Sequence, residues 1–259
     1  MADKNEGTAT GNWGKILYID LSKKEVQEKK FSDKTYRDFI GGSGLASKIL
    51  YDETDANTDP LGPDNVLVFM AGPLTGTTAP LSGRHAIASL SPLTEIWGEA
   101  DSGGSWGHYL KKAGWDGIVF KGISASPVYV YVNNSEVELV EAGHLWGKDT
   151  FETDKTIKDE IGIEDISISC IGQGGENLVR FACVVNDGLH GRVAGRCGLG
   201  AVMGSKKLKA IAVKGDQKVP IHDKERLSKI SKIITKNVLA ATKRYQDYGT
   251  SNQVEAVVR

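Results

Sequence analysis

The stretch Val128-Tyr129-Val130-Tyr131-Val132-Asn133-Asn134-Ser135-Glu136-Val137-Glu138-Leu139-Val140 decides the class of fold. β-branched and aromatic residues fill its first five positions, and an apolar rhythm resumes at Val137 after two asparagines. Such residues suit a pleated, half-buried surface, and Asn suits the turn between two strands. The segment therefore predicts two strands joined directly, with no helix between them.

Working outward, Asp116-Gly117-Ile118-Val119-Phe120 and Ile166-Ser167-Ile168-Ser169-Cys170-Ile171 also read as strands. So do Trp13 to Leu21 with Glu25 to Lys29 as its hairpin partner, Val66 to Ala71, His85 to Leu90, and Leu208 to Lys214. Gly172 to Asn177 reads as a turn, with Leu178 to Val185 as the strand that follows it. Helical spacing is confined to Ser32 through Tyr51, a short run from His108 to Lys112, Thr150 to Glu160, and Asp223 to about Tyr245. Gly41-Gly42-Ser43-Gly44 interrupts the first of these and predicts a joint between two helices, or a close approach to a ligand. Strand following strand with few helices predicts a sheet-rich α+β domain rather than a doubly wound one.

One stretch stands out chemically: Gly191-Arg192-Val193-Ala194-Gly195-Arg196-Cys197-Gly198-Leu199-Gly200-Ala201-Val202-Met203-Gly204-Ser205-Lys206. Glycine admits close backbone approach, exposed N–H groups form anion-binding concavities, and Arg binds phosphate through two parallel hydrogen bonds. It is read as a loop for a phosphorylated ligand, or else as a tight connection with surface arginines. It is not a Walker A loop, because Ser205 precedes Lys206 where that motif needs Lys then Ser or Thr. Nor is it a dinucleotide fingerprint, since Gly198, Gly200 and Gly204 are spaced G-x-G-x-x-x-G after a segment read as loop.

The composition is that of a globular protein of 259 residues, with a net charge of −1 that argues against nucleic-acid or membrane-surface partners. No apolar run reaches membrane-spanning length. Residues 1–11 read as a disordered lead-in without a signal-peptide core, which predicts a cytoplasmic address. Cys170, Cys183 and Cys197 lack metal-ligand spacing, and the first two sit in apolar runs as small buried hydrophobes. No Ser/His/Asp or Cys/His order suggests a nucleophile and base, and the five histidines show no ligand spacing.

Two further loops carry charge. Gly72 to Pro80 is rich in Gly, Pro and Thr, and Arg84 stands where the chain leaves it for the strand at His85. Glu99-Ala100-Asp101-Ser102-Gly103-Gly104-Ser105-Trp106-Gly107 reads as a second polar loop before a helix start, where free N–H groups favour an anion. Asp101 suits a hard cation such as Mg²⁺, through its carboxylate or main-chain carbonyl, or else caps the helix. Together with Arg192 to Arg196, these loops predict a cradle for a large, multiply phosphorylated cofactor. At the far end, Leu227, Ile230, Ile233, Ile234 and Leu239 form an apolar helix face that predicts a partner or continuing chain.

The chain resembles the N-terminal domain of the tungsten-containing aldehyde ferredoxin oxidoreductase family. The resemblance is carried by Asn12 to Lys15, Phe39 to Ala46, Ala71 to Thr77, Ala79 to Arg84, Ser102-Gly103-Gly104, Gly175 to Ala182 and Gly195 to Lys206. It runs from about residue 12 to 220 and continues faintly through Tyr248-Gly249-Thr250. It implies two β-sheets forming a saddle under a tungsten bis-molybdopterin cofactor over 12–220, with 221–259 as the start of a truncated helical second domain.

The resemblance also implies residue roles. Arg84 would bridge the pterin and a [4Fe–4S] cluster. Asp101, where the family usually has Asn, and Val193, where it usually has Ala, would give main-chain carbonyls to the Mg²⁺ linking the two pterin phosphates. Gly103, Arg192, Gly195 and Arg196 would contact the pterin system. The cluster's cysteines and the substrate pocket belong to later domains that this sequence does not contain.

The implied function is the cofactor-binding part of an enzyme that oxidises aldehydes to carboxylic acids, passing electrons through the cluster to ferredoxin. The 259-residue chain alone is expected to be inactive, completed by missing C-terminal domains or a cluster-bearing subunit, and a homo-oligomer is open. The contrasting expectation is a stand-alone, non-catalytic module that binds the pterin cofactor or serves a structural role. Substrate and the choice of tungsten over molybdenum are left open.

Overall fold

A computed structural model describes residues 11–254. Strands β1 (Lys15–Asp20) and β2 (Glu25–Lys30) form the expected hairpin. Ser32 then caps α1 (Asp33–Phe39) by accepting from the Thr35 N–H, the arrangement that satisfies a free helix-start donor. Ile40 at φ 68° and Gly41 at φ 135° turn the chain into α2 (Gly42–Glu53). The glycine break is thus a joint between two helices.

Next come β3 (Leu67–Ala71), β4 (His85–Leu90) and β5 (Trp97–Ser102), then α3 (Trp106–Lys112) and β6 (Gly117–Lys121). Here the sequence reading needs correction, because Glu99 to Ser102 is strand, not loop. Gly98, Ala100 and Ser102 alternate inward and buried, which places the polar Glu99 and Asp101 on the opposite face. Only residues 103–105 connect β5 to α3.

The second half contains β7 (Val128–Asn133), β8 (Glu136–Glu141), α4 (Thr150–Ile161) and β9 (Ser167–Cys170). It continues with α5 (Gln173–Glu176), β10 (Val184–Asn186), β11 (Arg192–Ala194), α6 (Leu199–Ser205) and β12 (Leu208–Lys214). The strand expected over 178–185 is confined to Val184–Asn186. Leu178 at φ 56° bends the chain after α5, and the segment before Val184 pairs with no strand.

Two six-stranded sheets result. Sheet A runs β2-β1-β6-β3-β4-β5 and sheet B runs β11-β10-β9-β12-β7-β8. Each is mixed, with one parallel pair: β1 with β6 and β7 with β12. One core lies between the sheets, where Phe69, Ile87 and Phe120 meet Val130, Ile211 and Val213, with Trp106 of α3 and Val202 of α6 among them. A second core packs α1 and α2 on the far face of sheet A, so every residue of β3 is buried. A third packs α4 on sheet B.

Buried charges fix the corners of this frame. Asp116 accepts from Lys111 Nζ at 2.6 Å, the Tyr36 hydroxyl at 2.7 Å, and the N–H groups of Trp13 and Gly14. Lys209 pairs with Glu176 at 2.5 Å on sheet B. The lead-in expected over residues 1–11 lies outside the described residues except for Gly11, which is not free: its N–H donates to Pro220 O at 3.0 Å. Beyond Asp223, a cap for the Arg226 N–H, α7 (Lys224–Ala241) and α8 (Lys243–Tyr248) follow. Ile230, Ile233, Ile234 and Leu239 on α7 are exposed, as the sequence predicts. None of the described helices is long and apolar enough to cross a membrane.

Candidate functional site

The three charged segments meet where the edge of sheet A faces the edge of sheet B. Asp101 lies on β5, the outermost strand of sheet A, and Arg192 and Val193 lie on β11, the outermost strand of sheet B. Gly195 and Arg196 form the exposed turn from β11 toward α6. Arg84 immediately precedes β4, whose pairing of His85 with Ser102 sets Arg84 beside the Gly103 end of β5.

Close contacts join these segments. A Cβ on Gly83 would lie 3.3 Å from Gly104 O, and one on Gly104 would lie 2.9 Å from Arg192 Cγ and collide with the Asp187 carboxylate. Gly104 also sits at φ 86°, so no other residue fits there without displacing both neighbours. Ser102 Oγ donates to Asn186 Oδ1, and Asn186 Nδ2 donates to Gly103 O at 3.0 Å. Gly103 itself faces open space.

Strand register fixes where the main chain points. Cys197 Sγ donates to Glu99 O at 3.3 Å, so that carbonyl faces the free edge of β5. Carbonyls along a strand alternate sides, so Asp101 O faces the same free edge. On sheet B, Asp187 N donates to Ile168 O on the β9 side, which turns Asn186 toward β11 and makes Asn186 and Arg192 a hydrogen-bonded pair. Val193, next along β11, therefore turns its carbonyl away from β10. Two main-chain oxygens on neighbouring edges are left without ladder partners.

The charges are mixed, with three guanidiniums on the same segments as the carboxylates of Glu99, Asp101 and Asp187. Arg84, Arg192 and Arg196 are exposed, and none of the three makes an ion pair with a described residue. Next to Arg84 in the chain, His85 is buried against the rings of Trp106 and Phe69, with both ring nitrogens lacking a partner among the described residues. Burial pushes its imidazole down to about 4, opposed by the negative charge of Asp187.

Other expected parts of the cradle serve the fold instead. The stretch Gly191 to Lys206 is a strand, a turn and a buried helix rather than one loop. A Cβ on Gly200 would collide with Cys183 O and one on Gly204 with Gly175 O, so these glycines let α6 pack against the backbone around them. Lys206 is buried, donating to Asn65 O at 2.6 Å and Gly122 O at 3.3 Å, and burial pushes its ammonium down to about 8. The anion expected at the start of α3 is already present within the chain: Ser105 N donates to Asp187 Oδ2 at 2.7 Å. Asp101 caps no helix, since Ser105 occupies the cap position. Cys183 is half-buried rather than buried, while Cys170 is buried and its thiol is pushed up to about 12.

A groove lined by Pro73, Leu74, Ile221, Leu227 and Ile230 runs where α7 meets the 72–80 segment, and it contains none of the candidate residues. Asn186 and Asp187 are site supports that sequence reasoning missed. Their only signal is the dipeptide Asp187-Gly188, which reads as a turn.

Residues 16–215 match the family model described as aldehyde ferredoxin oxidoreductase, N-terminal domain. The chain is 50% identical over 216 residues to the tungsten-containing aldehyde ferredoxin oxidoreductase of Thermococcus kodakarensis, covering 83% of this chain and 35% of that protein. It is 47% identical over 216 residues to the enzyme of that name from Pyrococcus furiosus, again covering 83% and 35%. It is 35% identical over 253 residues to the aliphatic sulfonate oxidoreductase, WOR-like subunit, of Pyrococcus furiosus, covering 92% and 40%.

Among solved structures, the active site complex BamBC of benzoyl coenzyme A reductase with 1,5 dienoyl-CoA superimposes with a TM-score of 0.86 at 34% identity. That likeness covers 92% of this chain and 36% of the other. The chain thus spans about a third of the length of the relatives it matches. A family match over most of the chain, carried by two mixed six-stranded sheets whose edges gather the arginines, shows that it belongs to the aldehyde ferredoxin oxidoreductase family of oxidoreductases, as that family's N-terminal domain.

Proposed function

We propose that residues 12–220 are the cofactor-cradling domain of a tungsten-pterin oxidoreductase that oxidises aldehydes to carboxylic acids, with ferredoxin as electron acceptor. Residues 221–259 begin its helical second domain. The observation that supports this reading is the pair of edge carbonyls, Asp101 O and Val193 O, flanked by three guanidiniums that make no ion pair with a described residue.

The residues present fit such a group. Hard cations take main-chain carbonyls as ligands, so Asp101 O and Val193 O suit a Mg²⁺ between two phosphates. Arg84, Arg192 and Arg196 suit phosphate and the polar edge of a pterin through their planar donor sets. Gly103 and Gly195 leave room for a ring system to approach the backbone. When bound, the tungsten-pterin group supplies the redox chemistry, and the chain supplies binding and orientation. The [4Fe–4S] cluster, ferredoxin contact and substrate pocket are assigned to the remainder of the enzyme. The relatives at 50% and 47% identity carry aldehyde in their names, while those at 35% and 34% carry an aliphatic sulfonate and a coenzyme A thioester, which supports an aldehyde as the substrate class.

The test is tungsten, magnesium and pterin analysis of the full-length protein purified anaerobically, with Arg192→Ala and Arg196→Ala alongside. Stoichiometric tungsten and pterin in the native protein, reduced at least fivefold in the variants, supports the assignment. Full cofactor content in both variants removes these arginines from the site. A native chain of 259 residues that holds the pterin group without turnover would instead favour a binding module.

A further inference from the structure

Asp187 sits at the junction of the two sheets, outside the set of residues proposed to hold the cofactor. Its Oδ2 accepts from Ser105 N at 2.7 Å, and its Oδ1 accepts from Ser105 Oγ at 2.7 Å and Ser167 Oγ at 2.8 Å. Its neighbour Asn186, fully buried, holds Ser102 and Gly103 O. Asp187 adopts φ 65°, an uncommon conformation for a residue with a side chain, and the three hydrogen bonds hold it there. Gly104 lies flat between this carboxylate and the stem of Arg192.

Every one of these bonds crosses from the β10–β11 side to the 102–105 segment or the adjoining β9. Sheet A therefore presents Gly103 and Asp101 in a position set by sheet B, and Arg192 and Val193 follow Asp187 by only a few residues on the other side. We infer that Asp187, with Asn186, is a positioning residue that sets the separation of the two edges and hence the span available to a ligand gripped by both. This rests on the proposed cofactor site, and it adds that the site's width is fixed by a carboxylate that touches no ligand.

The experiment uses the full-length protein purified with its cofactor. It compares Asp187→Ala, Asp187→Asn and a control, Ile157→Ala, which opens a cavity in the core beneath α4 and leaves the side-chain hydrogen bonds of Asp187 and Asn186 in place. In Asp187→Asn the amide oxygen can accept from Ser105 N while the amide N–H groups donate to the two serine hydroxyls, so the geometry survives without the charge. Expected results are a fivefold or greater fall in pterin and tungsten per protein and an altered tungsten(V) resonance spectrum for Asp187→Ala. Asp187→Asn should stay within twofold of native in both readouts. Ile157→Ala should keep its cofactor despite a lowered melting temperature.

Native cofactor content and spectrum in Asp187→Ala overturn the inference. Equal losses in Asp187→Ala and Asp187→Asn overturn it in favour of a charge effect, and equal loss in Ile157→Ala overturns it in favour of general destabilisation. Should Asp187→Ala not fold, Ser105→Ala removes one of the three bonds and is expected to lower cofactor content at least threefold, content within twofold of native counting against the inference. Arg192→Ala separates the two ideas: if it too keeps its cofactor, the proposed site fails, whereas its loss beside an unaffected Asp187→Ala sinks the positioning role alone.

Discussion

Cys197 donates its thiol to the carbonyl of Glu99 at 3.3 Å, pinning the turn after β11 against the outer edge of β5. That contact settles the direction of the Asp101 carbonyl, two residues further along the strand. Asp101 would then serve a cation through its main chain. Asp101→Ala is accordingly expected to keep magnesium and pterin within twofold of the native full-length protein. A fivefold loss on metal analysis would assign the role to the carboxylate.

Arg84 is exposed and makes no ion pair among the described residues, so replacing it should leave stability within about 0.5 kcal/mol. In the proposed enzyme, Arg84→Ala is expected to slow electron transfer from cofactor to cluster at least tenfold. Rapid-mixing absorbance of the cluster checks this, and unchanged kinetics would remove Arg84 from the site.

Acid should weaken the fold through His85. Its imidazole titrates near 4 when folded against 6.5 when free, because burial opposes the charged form. Between those values the unfolded chain binds a proton that the folded one refuses, so stability falls as pH drops through the window, by about 3 kcal/mol in all. Urea unfolding across that range should show the loss, and His85→Leu should flatten it. A variant curve parallel to the native one would place the acid sensitivity elsewhere.

Gly204→Ala tests the packing role of α6. The added methyl meets Gly175 O at a distance the backbone cannot accommodate, and overpacking of this kind costs about 1–3 kcal/mol. A lowered melting temperature with normal cofactor per folded molecule is the expected result. Loss of cofactor at native stability would return Gly204 to the ligand.

Much of the fold was legible because its inner strands are written in Val, Ile, Phe and Tyr, as in Leu67–Ala71 and Val128–Asn133. β5 was not, because Gly98, Glu99, Asp101 and Ser102 are poor strand formers. Its pairing is imposed by β4, and Gly98 is needed where a Cβ would lie 2.8 Å from that of Cys197. α6 was hidden for a related reason, its helix-weakening glycines being retained for close packing. The arginines were visible as chemistry, but their convergence depends on which strands lie at sheet edges, and no local pattern encodes that. Asn186 and Asp187 were invisible as supports, since all the partners of their side chains but Ser167 lie more than eighty residues away, at Ser102, Gly103 and Ser105.

The outward carbonyls of β5 and β11 have a further consequence. An unpaired strand edge is a template on which another chain can add a strand, and proteins blunt such edges with short strands, charges or a cover. β11 is three residues long and carries Arg192, whereas β5 runs for six and carries Glu99 and Asp101, and beyond the Cys197 contact at Glu99 no described strand lies on its outer side. In the proposed enzyme, a ligand spanning the two edges would therefore also cover main-chain groups of β5 and β11 that have no strand partner among the described residues.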